Sequence, residues 1–65
     1  MTPETRLRLL LHFDVWQTEQ RLVKRSGLAF RTLTKTLQQM VDCGLVRMAV
    51  IQHNGKRMRM YCLND

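Results

Sequence analysis

The stretch from residue 22 to residue 46 constrains the fold of this chain most. Leu22 and Val23 place two apolar side chains together, and Gly27 interrupts the pattern shortly afterwards. Beyond that interruption, apolar residues recur at helical spacing up to Gly44, at Leu33, Leu37, Met40 and Val41. This pattern predicts two helices joined by about four residues, with the second helix the longer one.

The length and charge of the chain narrow its class. Its 65 residues predict one small domain, spanning residues 1–65, near the lower limit at which a hydrophobic core alone supports folding. The net charge is +6, but residues 1–19 carry −1 and residues 20–65 carry +7. A basic charge gathered on one part of a small domain favours a polyanionic partner, usually nucleic acid. Charge alone leaves a general solubilising surface as the alternative.

Two shorter helices are predicted before the long one. Thr2, Pro3 and Glu4 suit a helix start, and we expect a first helix at about residues 3–13. Its buried face is expected to contain Leu7, Leu10, Leu11 and Phe13. Thr18 can cap a second helix at about residues 19–25, which Gly27 ends. Between them, Trp16 is expected in the core or against a hairpin, and stacking on a nucleic-acid base is the alternative.

The third helix, at about residues 29–43, has an unusual polar side. That side carries Arg31, Thr32, Lys35, Thr36, Gln38 and Gln39. From Gln20 to Val41 there are five basic residues and no acidic one. A solvated helix usually carries Asp or Glu among its Lys residues, since oppositely charged side chains four residues apart stabilise it. Arg, Lys, Thr and Gln are the side chains that contact phosphates and base edges, so the pattern favours DNA binding.

The last third of the chain, about residues 46–63, predicts a β-hairpin. Asn54-Gly55 between two alternating runs is typical of a two-residue turn, and it pairs Ile51 with Met58 and Ala49 with Met60. We expect the face bearing these four side chains to lie on the helices. The basic residues near the tip, Lys56, Arg57 and Arg59, are placed to contact a DNA backbone or minor groove.

The order helix, short strand, helix, turn, helix, hairpin resembles a winged helix-turn-helix domain. The residues that carry the resemblance are Leu22-Val23, Gly27-Leu28, Thr32-Leu33, Leu37, Met40 and Cys43-Gly44-Leu45-Val46-Arg47. They are similar to the pattern of regulators of the MarR and ArsR classes. The resemblance implies an α+β fold, mainly α, with the third helix in the major groove, the hairpin as a flanking wing, and commonly a two-fold dimer.

Three positions depart from that pattern. Ser26 stands where an apolar residue is usual, which predicts a looser or more polar contact between the second and third helices. Phe30 and Val41 stand where polar residues are common, and we expect them either in the core or on a dimer surface.

Together these observations predict a sequence-specific double-stranded DNA-binding protein, a small transcriptional regulator. Arg31, Thr32, Lys35 and Thr36 are expected to read the major groove, and Gln38 and Gln39 to contact the backbone. Lys56, Arg57 and Arg59 of the wing, with Lys24 and Arg25, are expected to contact phosphates or the minor groove. The alternatives are a protein-interaction module, an architectural or recombination accessory protein, and an RNA-binding protein.

The sequence has no pattern typical of an enzyme or a cofactor site. His12 and His53 are far apart, and with Cys43 and Cys62 they lack the paired spacing of a zinc site. We expect both cysteines to be buried and reduced. No cofactor, metal, catalysis, small-molecule effector or membrane segment is expected. The expected location is the cytoplasm of a bacterial or archaeal cell, or its nucleoid.

Overall fold

The computed structural model describes residues 1–64 and has three helices followed and interleaved by three strands. The elements are α1 (Pro3–Leu10), β1 (Gln17–Thr18), α2 (Glu19–Ser26), α3 (Phe30–Asp42), β2 (Val46–His53) and β3 (Lys56–Leu63). The strands form one antiparallel sheet in the order β1-β3-β2. The predicted α+β class is confirmed.

α1 is shorter than predicted. The hydroxyl of Thr2 accepts from the backbone N–H of Thr5 at 3.1 Å, so the predicted start is confirmed. The helix ends at Leu10 instead of near residue 13, because Leu11 takes an extended conformation while its N–H still bonds to the carbonyl of Leu7. Leu11 is buried all the same, but Phe13 lies beyond the helix and is exposed, contrary to expectation.

The turn between α2 and α3 is held by a polar contact. Gly27 has φ +71°, the left-handed conformation that ends α2 and that glycine adopts at little cost. Ser26 is buried, and its hydroxyl accepts from the N–H of Leu28 at 3.1 Å. Its carbonyl accepts from the guanidinium of Arg6 at 3.0 Å. The predicted polar contact at Ser26 is therefore present, with its hydrogen bonds satisfied.

The hairpin forms in the predicted register. Ile51 pairs with Met58 and Ala49 with Met60, around a turn in which Asn54 and Gly55 both have positive φ. Positive φ at both central residues is the type I′ geometry, whose twist matches that of the strands.

The prediction of which hairpin face meets the helices was wrong. The core cluster takes Val46 from β2 and Tyr61 from β3, which lie on the face opposite to Ile51 and Met60. From the helices it takes Leu7, Leu11, Leu22, Leu33, Leu37 and Met40. Both faces of the hairpin are apolar, so the alternation of side chains could not distinguish them.

The other sheet face is covered near its base by Trp16, which precedes β1, and by Arg47 of β2. The guanidinium carbon of Arg47 lies 5.4 Å from the centre of the Trp16 ring, within the range of a cation–π contact. The same guanidinium donates to the sulfur of Cys62 at 3.6 Å, and Cys62 is buried. Trp16 thus lies against the hairpin, which is one of the two positions predicted for it. Cys43 is exposed, contrary to expectation.

Within residues 1–64, no helix combines the length and the apolar character needed to cross a membrane.

Candidate nucleic-acid interface

The exposed side of α3 is basic and lies opposite the core. Leu33, Leu37 and Met40 are fully buried, and the helical repeat places Arg31 and Lys35 on the other side, in solvent. A groove runs between this side and the start of α1. Its lining consists of Thr2, Pro3, Glu4, Arg31, Thr32, Lys35, Thr36 and Gln39. Five of the six predicted side chains of α3 therefore share one groove, into which α1 contributes a single carboxylate, that of Glu4.

The predicted residues of α3 differ in how free their polar groups are. The hydroxyl of Thr36 donates to the carbonyl of Thr32 at 2.7 Å, and Thr36 is half-buried. The amide of Gln38 donates to the carboxylate of Asp42 at 2.9 Å. Arg31 and Lys35 are the exposed residues that carry charge, so they are better placed than Thr36 or Gln38 to meet an external partner.

The start of α3 is open. Its N-cap residue, Ala29, makes no side-chain hydrogen bond, and the first turn contains no acidic residue. α1 and α2, in contrast, are capped by the threonine hydroxyls and have Glu4 and Glu19 in their first turns. Uncapped N–H groups give a helix start a partial positive charge that favours an anion. The start of α3 thus adds to the basic character of this side.

The hairpin tip lies beside the start of α2. One cleft there is lined by Gln20, His53, Asn54, Lys56, Arg57 and Met58. A second cleft, lined by Thr18, Glu19, Gln20, Phe30, Arg57, Met58 and Arg59, joins it to the first residue of α3. Arg57 borders both clefts. Arg57 and Arg59 are thereby brought next to the start of α3, while Lys56 lines only the cleft beside α2.

Sequence reasoning did not identify Gln20 as a site residue and left Phe30 undecided. Phe30 is 59% exposed at the start of α3, whereas Val41 is half-buried against the core. Gln20 lies in both clefts because the hairpin folds back onto α2. No local pattern could reveal that contact, since it joins residues more than 30 positions apart. Val41 is thus resolved as a core-associated residue and Phe30 as an exposed one.

One acidic group lies among the basic residues of the clefts. An oxygen of Glu19, Oε2, is buried with no hydrogen-bond partner among the described residues. Burial raises the pKa of Tyr61, and the nearby negative charge of Glu19 raises it further, while Arg59 acts in the opposite direction. The Tyr61 hydroxyl therefore remains protonated at neutral pH.

Arg25 is not brought together with the rest of the predicted site. Its guanidinium donates to the side-chain oxygen of Gln17 at 2.9 Å. It lines a separate cavity with His12, Val15, Trp16, Gln17, Thr18 and Arg21, on the β1 side of the molecule. Lys24 is exposed and lies one helical turn beyond Gln20, so it is on the side of α2 that faces the hairpin tip.

Within residues 1–64, no three His, Cys, Asp or Glu side chains are grouped so that they could hold a metal ion. Compared with known proteins, the chain matches no family model, no curated protein and no solved structure.

Proposed function

We propose that this chain is a winged helix-turn-helix domain that binds double-stranded DNA in a sequence-specific way. In this proposal α3 enters the major groove, and the hairpin of β2 and β3 is the wing that contacts the flanking backbone or minor groove. The order of the elements supports it, since two helices and a tight turn precede a hairpin in a domain of minimal size.

The observation that carries the proposal is the charge of two neighbouring surfaces. Arg31 and Lys35 project from the side of α3 opposite the core, and the basic hairpin tip borders the same helix at its first residue. Phosphates supply most of the affinity of a DNA-binding protein, and base edges supply its specificity. A long basic side chain on an exposed helix can contact either phosphates or base edges, whereas residues at a hairpin tip reach chiefly the phosphate backbone.

The proposal gives the basic residues different roles. Arg31 is assigned to base edges, because a guanidinium can bond to two acceptors of guanine at once, and Lys35 extends the same row. Lys56 and Arg57 are assigned to phosphates. Thr32, Thr36 and Gln39 line the groove on the α1 side and are assigned a supporting part.

The first test is selection from a pool of random duplex DNA at two salt concentrations, beside a matched pool of single-stranded RNA. We expect enrichment of a duplex motif. The variant Arg31→Ala should lose about 1–3 kcal/mol at that motif and little on other sequences. The variant Lys56→Ala should weaken binding to all sequences alike and lower the salt slope by about 1.

Arg8→Ala is the matched control, since Arg8 is an exposed basic residue of α1 that lines none of the clefts described above. It should change neither the motif nor, beyond general electrostatics, the affinity. If Arg31→Ala behaved like Arg8→Ala, the assignment of α3 to the major groove would be wrong. Binding to RNA in preference to duplex DNA would contradict the proposal as a whole.

A protein-interaction module is the second candidate, and one observation favours it. β2 exposes three large apolar side chains, those of Met48, Val50 and Ile51. If neither nucleic-acid pool bound, these residues would be the surface on which to seek a protein partner.

A further inference from the structure

β2 is an edge strand with an unpaired row of backbone groups. It lies at one side of the sheet, and among residues 1–64 it pairs only with β3. In a hairpin with a two-residue turn, the residues that flank the turn bond to each other, so His53 bonds to Lys56. The residues of β2 whose backbone groups bond to β3 then recur at every second position. The N–H of Asn64 bonds to the carbonyl of Leu45 at 2.9 Å, which agrees with this alternation.

The open edge of β2 therefore presents the backbone groups of four residues. They are Val46, Met48, Val50 and Gln52. Each has an N–H and a carbonyl directed away from β3, and β1 lies on the far side of the sheet.

Nothing in β2 blocks that edge. Folded proteins usually protect edge strands with lysine, proline, a bulge or a short length. β2 is eight residues long, pairs without a bulge, contains no proline and carries one charged side chain, that of Arg47. Three of its exposed side chains are large and apolar, with Val50 50% exposed and Met48 and Ile51 each 41% exposed. An edge of this kind is suited to pairing with another strand.

We propose that β2 pairs antiparallel with β2 of a second copy of this chain, around a two-fold axis that passes beside Ala49. The two three-stranded sheets then form one continuous sheet of six strands. The proposal concerns assembly and does not depend on the proposed binding to DNA.

The register follows from the open backbone groups. The two-fold axis is perpendicular to the sheet. Outward-directed backbone groups must lie opposite each other to bond, and the residues that carry them all have even numbers, so the numbers of two opposing residues must have an even sum. With the axis at Ala49, Met48 lies opposite Val50 of the second copy, and Val46 opposite Gln52. Four bonded residue pairs result, about eight hydrogen bonds in all. With the axis at Val50, only three bonded residue pairs form, and Met48 lies opposite the polar Gln52. The register with the axis at Ala49 is therefore favoured.

The distribution of charge allows a second copy to approach along β2. Two chains of net charge +6 repel each other, and the approach through β2 keeps their basic groups apart. The basic residues Lys56, Arg57 and Arg59 all lie on β3, one strand away from the proposed contact. Arg47 lies opposite Ile51 of the second copy and not opposite its own equivalent. The residues nearest the axis, Met48, Ala49 and Val50, are uncharged.

The symmetry also determines where the helices lie. The axis is perpendicular to the sheet, so it leaves the two core faces on the same side of the six-stranded sheet. Both copies of α3 then lie on that side. A two-fold pair of this kind suits a partner that is itself two-fold, such as an inverted repeat of duplex DNA.

The test is sedimentation equilibrium of the wild-type chain and two variants of Val50 over a range of concentrations. Val50→Pro removes an N–H that points to the open edge, so the hairpin keeps all its own hydrogen bonds. We expect the dimer dissociation constant to rise at least about tenfold, since the pairs at the axis lose bonds. Val50→Thr, the matched control, keeps the N–H and should change it by no more than about threefold.

Amide hydrogen exchange gives a second measurement that does not depend on a proline variant folding. In the wild-type chain, the amides of Met48, Val50 and Gln52 should become protected as concentration rises. Those of Arg47, Ala49 and Ile51 should be protected at every concentration, because they bond within the hairpin.

Three results would overturn the proposal. The first is a wild-type chain that remains monomeric at about millimolar concentration, where even a weak dimer would form. The second is a Val50→Pro variant that folds and dimerises as tightly as the wild type. The third is a dimer in which the amides of Met48, Val50 and Gln52 still exchange freely. Binding to DNA is measured separately, so a dimer that binds no duplex would contradict the proposed function and leave the pairing of β2 intact.

Discussion

β2 and β3 have the same length and pair residue by residue, yet their surroundings differ. Met48 of β2 and Tyr61 of β3 are direct partners on the same face of the sheet. Tyr61 is 4% exposed and belongs to the core, whereas Met48 is 41% exposed. β3 is the central strand, with β1 on its other side, while β2 is an edge. Both strands contact a helix, β3 the helix α2 and β2 the helix α3.

The difference separates the two tasks of the hairpin. The central strand pairs with both other strands and supplies the buried Tyr61 and Cys62, so it contributes strongly to the stability of the fold. The edge strand contributes less to the core and presents free backbone groups and apolar side chains to the outside. The tip, which is basic, belongs to neither task and is left available for an anionic partner.

The largest difference in the free energy of unfolding is expected between variants that truncate Tyr61 and Met48 in turn. Tyr61→Ala should lower the free energy of unfolding by about 3–5 kcal/mol, because it empties a large volume in the core. Met48→Ala should cost less than about 1 kcal/mol, since most surface substitutions have small effects. Urea unfolding at a concentration low enough to keep the chain monomeric measures both. Equal losses would show that the edge strand is as much part of the core as the central one.

A smaller loss in the free energy of unfolding is expected from a substitution in β1, the strand that pairs with β3. Gln17 pairs with Tyr61 and is buried, and its amide donates to the carbonyl of Leu10 at 2.8 Å. Gln17→Leu leaves that carbonyl and the guanidinium of Arg25 without this partner, so we expect a loss of about 1–3 kcal/mol. Gln20→Leu makes the same change at an exposed position and should remain within about 0.5 kcal/mol of the wild type. Thermal unfolding of the two variants compares them directly, and matching losses would contradict the role given to Gln17.

The smallest effect concerns the ionisation of Tyr61. Burial and the charge of Glu19 raise its pKa above the ordinary 10.0, so the folded state favours the protonated hydroxyl. The stability that this contributes is fully present below pH 10 and is lost as the pH rises through the higher pKa of the folded state. Tyr61→Phe should therefore be less sensitive to alkaline pH than the wild type.

Tyrosinate absorbance measures this ionisation without ambiguity, because the chain contains one tyrosine. Its titration midpoint in the folded chain should lie above that in the urea-unfolded chain. A midpoint at or below the unfolded value would show that Arg59 outweighs both burial and Glu19.

Features that depend on a few neighbouring residues were predicted well from the sequence. Thr2 and Thr18 cap their helices, Gly27 ends α2, and the Asn54-Gly55 turn sets the pairing of the hairpin. Each of these rests on hydrogen bonds or dihedral preferences within about four residues, so the local sequence contains the information needed.

The candidate site was predicted in part for the same reason. The exposed row of α3 follows from helical spacing, and the basic tip follows from the turn. The grouping of the tip with Gln20 and Phe30, and the separation of Arg25 from it, depend on how the hairpin folds back onto α2. Such contacts join distant parts of the chain and have no local pattern.

The sequence by itself thus determined the order, the type and most of the bounds of the elements, together with the register of the hairpin. Only the tertiary structure decided which hairpin face meets the helices and which strand is left as an edge. The physical reason is that both faces of the hairpin are apolar. Burial of either face would remove apolar surface from water, so packing against the helices made the choice, and it selected Val46 and Tyr61 over Ile51 and Met58.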